Sequence, residues 1–333
     1  MSEAKLEIII THYNESMAVC SKMFKMFDVQ RGMKQGEVRI TVVQDGKEGV
    51  LDTAELMKKY PFITSVIEIP HGGVSAARNA GIDAARCEWI MFMDCDDMLF
   101  ACDSLRTILD AIDEEAGRAD MIQGVMMMEM HNGTDKWRRV RQEKNMVFVT
   151  GKLWRLSWLR EKGLRFDETL AYSEDSLFCE EAGLALDPKR IGNIRETIYA
   201  WCLRAGSCTD DEKNGRRNRT DLARHRIMLP VICRKQGKEY DAMTYAARGI
   251  MDSFFELTGG TITGAEKEET EGMITRGLII PWSFALWEIE PEDYEKLMKV
   301  SRQNTINKRM MAKDADPGEI GAWLRKMKDT YGE

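Results

Sequence analysis

Two clusters of carboxylates are spaced for chemistry. The first lies in WIMFMDCDDMLF, residues 89–100, where the apolar run Trp89–Met93 meets Asp94, Asp96 and Asp97. Carboxylates two apart at the end of a buried strand suit a hard divalent cation, because Mg²⁺ and Mn²⁺ prefer oxygen ligands and share them with substrate phosphates. The alternative is an acidic cap on a following helix. The second cluster is Glu174-Asp175 in LAYSEDSLF, residues 170–178. With Ser173 as N-cap it reads as an acidic first turn. Aimed into a crevice, it could instead hold a general base for a hydroxyl nucleophile.

The elements that must position these acids follow from periodicity. LEIIITHYN, EVRITVVQDGKEG, ITSVIEIP and EWIMFMD read as strands, and helical patterns in ESMAVCSKMFKMFDVQ, DTAELMKKY and VSAARNAGIDAAR separate them. Strand–helix repetition with buried strands predicts an α/β fold, a mostly parallel sheet flanked by helices. Ligands collect outside the carboxyl ends of such strands. Thr11, His12, Asn14, Asp45 and the Asp94–Asp97 cluster stand at those ends. Further on, CDSLRTILDAIDEEAGR is an amphipathic helix, DMIQGVMMMEM and NMVFVTGKLW read as strands, and KWRRVRQEK reads as a basic loop between them. SEDSLFCEEAGLA opens another helix. Residues 213–238 hold nine Lys or Arg against one Asp, and the rest is helical in pattern, with turns at Gly259-Gly260 and Asp316-Pro317-Gly318. A boundary near 212 predicts domains 1–212 and 213–333.

The 333 residues are 44% hydrophobic and 31% charged, enough for a sizeable core, and the net charge of −7 argues only for solubility. No apolar run reaches the length of a transmembrane span, the N-terminus does not resemble a signal peptide, and the eight cysteines lack metal-ligand spacing. A cytoplasmic protein with reduced thiols is the expectation. Gly72-Gly73 lacks the remaining residues of a phosphate loop. His12 fits a hydrogen-bonding role at the crevice better than metal ligation, and Met126-Met127-Met128 fits core packing.

Four segments in order carry a family resemblance. HGGVSAARNAGIDAARCEWIMFMDCDD, GKLWRLSWLREKGLRFDE, RFDETLAYSEDSLF and YAWCLRAGSCT together resemble the motif series of family-two glycosyltransferases with the GT-A fold, over residues 5 to about 210. The resemblance implies a nucleotide-sugar-dependent, inverting glycosyltransferase requiring Mn²⁺ or Mg²⁺. It implies that Asp94 faces the donor ribose and shares the metal site with Asp96, which ligates the cation on the diphosphate. It gives Arg78 and Asp45 to the base, with Thr11, His12 and Asn14 alongside, Arg204 to the diphosphate, and Asp175 the role of general base. Thr11-His12-Tyr13-Asn14 and Gln44-Asp45-Gly46-Lys47 depart from the usual Pro-Thr-Tyr-Asn and Asp-Asp-Gly-Ser, and Cys202 replaces an arginine. A uridine diphosphate sugar is the expected donor and a hydroxyl-bearing molecule the acceptor. The C-terminal third has an acceptor or assembly role in relatives, homo-oligomers included. Two other functions fit the sequence: a nucleotide-sugar or carbohydrate binding protein on the same fold, and a transferase that grips a nucleic acid or other polyanion through residues 213–238.

Overall fold

The computed structural model describes residues 4–46, 52–131, 137–202, 215–259, 262–304 and 317–332. The chain separates into two compact units, Met1–Asp211 and Glu212–Glu333. The first opens with β1 (Leu6–His12), α1 (Met17–Asp28), β2 (Val38–Asp45), α2 (Thr53–Lys59), β3 (Ser65–Ile69), α3 (Gly73–Ala84) and β4 (Trp89–Asp94). These are the strands and helices expected from periodicity. It continues with β5 (Met98–Leu99), α4 (Ser104–Glu114), β6 (Met121–His131), β7 (Trp137–Gln142), β8 (Lys152–Arg155), α5 (Leu156–Lys162), α6 (Glu174–Ala185) and β9 (Ile191–Trp201).

All form one sheet in the order β3-β2-β1-β4-β8-β6-β9-β5, with β7 beside β6. β3, β2, β1 and β4 run parallel, whereas β8 joins β4 antiparallel. Chain order reverses at β1, with β2 on one side and β4 on the other, which makes the crevice beyond β1 and β4 a topological switch point. In register, Thr11 of β1 sits opposite Asp94 of β4.

Every residue of β1 is buried because helices cover both faces. Ile8 and Ile10 point to the side of Phe24 on α1 and Leu105 on α4. Ile9 points to the other side, toward Ala77 on α3 and Phe178 on α6. Gly81 brings α3 so close to β1 that an added Cβ would lie 2.3 Å from Ile9 Cγ2.

Three sequence expectations change. The basic stretch KWRRVRQEK contains β7, not only loop, and Arg139 lies opposite Glu129 of β6. The strand expected in NMVFVTGKLW is confined to β8, because the Asn145 carbonyl oxygen of the side chain accepts the Val147 and Phe148 amides at 3.0 and 3.1 Å and turns the chain. Ser173 occupies the N-cap position of α6 but has φ 66° and makes no side-chain capping bond.

The second unit is helical: α7 (Gly215–Lys235), α8 (Glu239–Thr258), α9 (Gly264–Ile274), a π-helical turn at Thr275–Ile279, α10 (Ile280–Trp282), α11 (Ala285–Glu288), α12 (Pro291–Asn304) and α13 (Pro317–Tyr331). Its core includes Ala246, Ile250, Leu278 and Trp282.

Candidate active site

Beyond Asp94 burial keeps alternating: Cys95 and Asp97 are buried, whereas Asp94 and Asp96 are half-buried. The three acids therefore have different fates. Asp97 is 1% exposed and accepts hydrogen bonds from Tyr199 Oη at 2.5 Å and the Cys202 amide at 2.9 Å. Burial, then repulsion from Asp94, holds its carboxyl well above the ordinary range. It ties the acidic loop to the end of β9.

Asp94, with a side chain 31% exposed, accepts from Thr11 Oγ1 at 3.3 Å and Arg78 Nη2 at 3.1 Å. Both bonds use Oδ1, and among the described residues Oδ2 accepts none. Arg78, projecting from α3, is 4% exposed, and its Nη1 donates to Glu174 Oε1 at 2.8 Å. Its guanidinium lies over the Phe166 ring, 5.3 Å from the centroid. Burial would lower the Arg78 pKa, but the Asp94, Glu174 and Asp175 carboxylates hold it above the ordinary value. One arginine thus joins the two acidic clusters that the sequence separates by 80 positions, and Nε is left buried without a partner.

Asp175, in the first turn of α6, is half-buried and accepts the Ser176 amide at 2.8 Å. Burial, then repulsion from Glu174, pushes its carboxyl up to about 7, against the pull of Arg78. The left-handed Ser173 just before this turn is one of two non-glycine residues with positive φ among the described residues. Such strain collects where surrounding structure over-determines the backbone.

The base-side residues are less open than their sequence positions suggest. His12 is 2% exposed, its Nδ1 paired with Gln44 Oε1 and its Nε2 with the Glu15 carbonyl, both at 2.8 Å. Its ring is enclosed at the end of β1, held by both of these hydrogen bonds. Asp45 is 3% exposed and takes three donors: His71 Nδ1 at 2.9 Å, the Gly72 amide at 2.7 Å and the Gly73 amide at 2.9 Å. It thereby caps α3, whose N-cap glycine has no side chain for the task. His71 stacks on Tyr13 with ring centroids 4.4 Å apart. Neither was singled out in the sequence, although His71 directly follows a strand end. Asn14 is exposed. Arg204 lies outside the described residues.

The donor set fits Mg²⁺ or Mn²⁺. Asp94 and Asp96 are half-buried carboxylates at and just beyond the end of β4, and among the described residues Asp94 keeps one oxygen unengaged. Among the described residues no group of three or more His, Cys, Asp or Glu could hold a metal. A two-carboxylate site of this kind is completed by water and substrate phosphate.

The sequence profile of glycosyl transferase family 2 matches residues 7–172, which contain Asp45, Arg78, Asp94 and Asp96. The chain belongs to glycosyl transferase family 2. Two relatives come from Bacillus subtilis (strain 168). The uncharacterized glycosyltransferase EpsJ is 24% identical over 193 residues, covering 52% of this chain and 55% of EpsJ. The minor teichoic acid biosynthesis protein GgaA is 25% identical over 210 residues, covering 58% of this chain and 46% of GgaA. The chain spans about half the length of these curated relatives. In fold it matches S. aureus TarS in complex with UDP, with a TM-score of 0.62 at 18% identity, over 91% of this chain and 93% of that one. The family profile stops at 172, so Glu174 and Asp175 are tied to the site by the Arg78 bridge instead.

In the second unit, the basic segment is largely paired. Arg219 meets Glu266 at 2.5 Å, Arg224 meets Asp221 at 3.3 Å, and Arg226 meets Glu256. The side chains of Arg216 and Arg217 lie outside the described residues. Among the described residues no helix is long and apolar enough to cross a membrane.

Proposed function

We propose that this family-two glycosyltransferase moves a sugar from a nucleoside diphosphate sugar to an acceptor hydroxyl with inversion, and that Asp175 is the base. The observation that carries the reading is the Arg78 bridge, which brings the Asp94 and Glu174-Asp175 clusters to one switch-point crevice. A uridine diphosphate sugar is our choice of donor; the UDP complex of TarS, similar in fold, agrees with it.

Asp94 and Asp96 would hold Mn²⁺ or Mg²⁺, which when bound supplies positive charge to the departing diphosphate. The acceptor oxygen attacks the anomeric carbon, its proton passes to the Asp175 carboxylate, and the bond to the diphosphate breaks with its electron pair leaving on the phosphate oxygen. A carboxyl near 7 is ionised above neutrality yet still basic enough to draw a proton from a hydroxyl. Arg78 keeps Asp94 and Glu174 fixed and balances their charge. Arg204 is our second cation for the diphosphate, and Thr11, Asp45 and Asn14 our donor contacts, Asp45 exchanging His71 for the ligand.

Hydrolysis of UDP-N-acetylglucosamine tests the reading. Mn²⁺ should support UDP release, excess chelator should abolish it, and Asp96→Asn should lose metal-dependent UDP binding while remaining folded. Release that persists in excess chelator would remove the metal from the proposal.

A further inference from the structure

The helical unit carries an exposed apolar stripe. From α9 to α11 the backbone stays helical through residue 288, because Ile280, Ser283 and Phe284 at the junctions all hold right-handed helical angles. Residues three or four apart therefore share a face, and one face reads Arg276, Ile280, Phe284, Trp287. Ile280 is 45% exposed, Phe284 38% and Trp287 60%, the most open large hydrophobic residue among those described. α7 runs beside this helix. Ile227 packs on Gly277, where an added Cβ would lie 2.8 Å from Ile227 Cδ1, and the Arg234 guanidinium lies over the Trp282 ring, 3.9 Å from its centroid. Val231, between those two contacts on α7 and 40% exposed, widens the stripe.

The two ends of the stripe carry opposite charges. Arg276 and Glu288 are exposed, and among the described residues neither side chain has a hydrogen bond or an ion pair. Turned end for end, the stripe matches itself. A two-fold axis midway between Ile280 and Phe284 sets Ile280 against the partner's Phe284, Trp287 against the partner's Gly277, and Arg276 against the partner's Glu288, each pair occurring twice. The indole thus meets a position without a side chain. Parallel pairing would instead set like charges side by side. The four apolar residues expose roughly 400 Å² per copy, about half of what each partner gives to a standard interface. With the charged ends added, the contact reaches the low end of specific interfaces, which suits a reversible dimer.

We propose that this face is a homodimer interface: two copies of the chain pair antiparallel through residues 276–288, with Trp287 of each over Gly277 of the other and Arg276–Glu288 ion pairs closing both ends. The inference stands apart from the donor chemistry, because every residue it uses lies in the helical unit. Contiguous exposed apolar surface marks a binding face. The charges choose its occupant: a second copy satisfies Arg276 and Glu288 together, whereas an anionic lipid surface would attract the one and repel the other.

Analytical ultracentrifugation of the full chain tests the pairing. Wild type should show a reversible monomer–dimer equilibrium, largely dimeric at about 100 µM and dissociating on dilution. Arg276→Glu and Glu288→Arg should each weaken association at least about tenfold, because each sets like charges together at both ends. Mixed one to one, the two variants should regain wild-type association as a heterodimer, since each then supplies the charge the other needs. The chain carrying both changes should regain it alone, and either recovery shows that the single variants are folded. Trp287→Ser should abolish association while the melting temperature stays near wild type. A wild type that remains monomeric at about 100 µM overturns the proposal. So do single variants that dimerise like wild type, or a mixture that associates no more tightly than its parts. Monomeric wild type that sediments with phosphatidylglycerol vesicles, and loses this in Trp287→Ser, would give the face to a lipid surface and overturn it equally.

Discussion

Asp175→Asn should have opposite effects on activity and stability. The carboxyl is held up to about 7 from an ordinary value of 3.8, chiefly by burial and by Glu174. Each pH unit of such a displacement corresponds to about 1.4 kcal/mol, so ionising the group costs the folded state about 4 kcal/mol. The side chain is half-buried, and water reaching it screens part of that cost, leaving roughly 2–4 kcal/mol. The sign follows from linkage: a raised folded-state pKa means stability is intact below about 3.8 and is lost as pH rises through about 7. Asparagine has nearly the same shape, can still accept the Ser176 amide, and carries no charge. The variant should therefore match wild type near pH 4 and exceed it at pH 8, by on the order of 5–10 °C in the melting of the first unit. Turnover should fall roughly 10²–10⁴-fold, the usual worth of a positioned base. Calorimetry at pH 5 and pH 8, beside UDP release, reads both. A variant no more stable at pH 8, or an increment independent of pH, would refute the electrostatic account of this site.

Two other substitutions probe the scaffold. Arg78→Met should destabilise the first unit by about 3–5 kcal/mol, because it strands Asp94 and Glu174 without their shared cation; urea unfolding reads the loss, and the Asp175 midpoint should rise with it. Gly81→Ala drives a Cβ to 2.3 Å from Ile9 Cγ2, a branched side chain in a filled core, and should cost roughly 1–3 kcal/mol in the same assay.

The first four strands were legible because β-branched and apolar runs ended in turn residues, and the switch-point crevice follows from their order. The antiparallel half was harder. β7 is rich in arginine and pairs across to Glu129, so charge hid a strand from a reading based on hydrophobicity. β9, whose burial alternates irregularly, gives no clean period-two signal. Residues 146–149 are apolar enough to read as strand, yet one asparagine side chain upstream decides the turn. The candidate site was legible as residue types, and the structure joins its two acidic clusters through Arg78, which bonds Asp94 and Glu174. What a sequence cannot display is direction. His12 and Asn14 are two apart after the same strand, yet one side chain is fully enclosed and the other exposed.

The cost of grouping acids at a strand end is met in a different way for each acid. Asp97 turns inward, where Tyr199 and the Cys202 amide satisfy it and its raised pKa favours the neutral form. Asp94 takes one half of Arg78. The other half of Arg78 goes to Glu174, so the guanidinium that steadies one cluster also fixes the start of α6. Asp175, one residue on, accepts the Ser176 amide, and the Arg78 cation works against the rise that burial and Glu174 impose on its carboxyl. Asp96 stays half-buried. An acidic run that looks self-repelling as a string of letters becomes, once burial alternates along it, one enclosed acid and two half-buried ones.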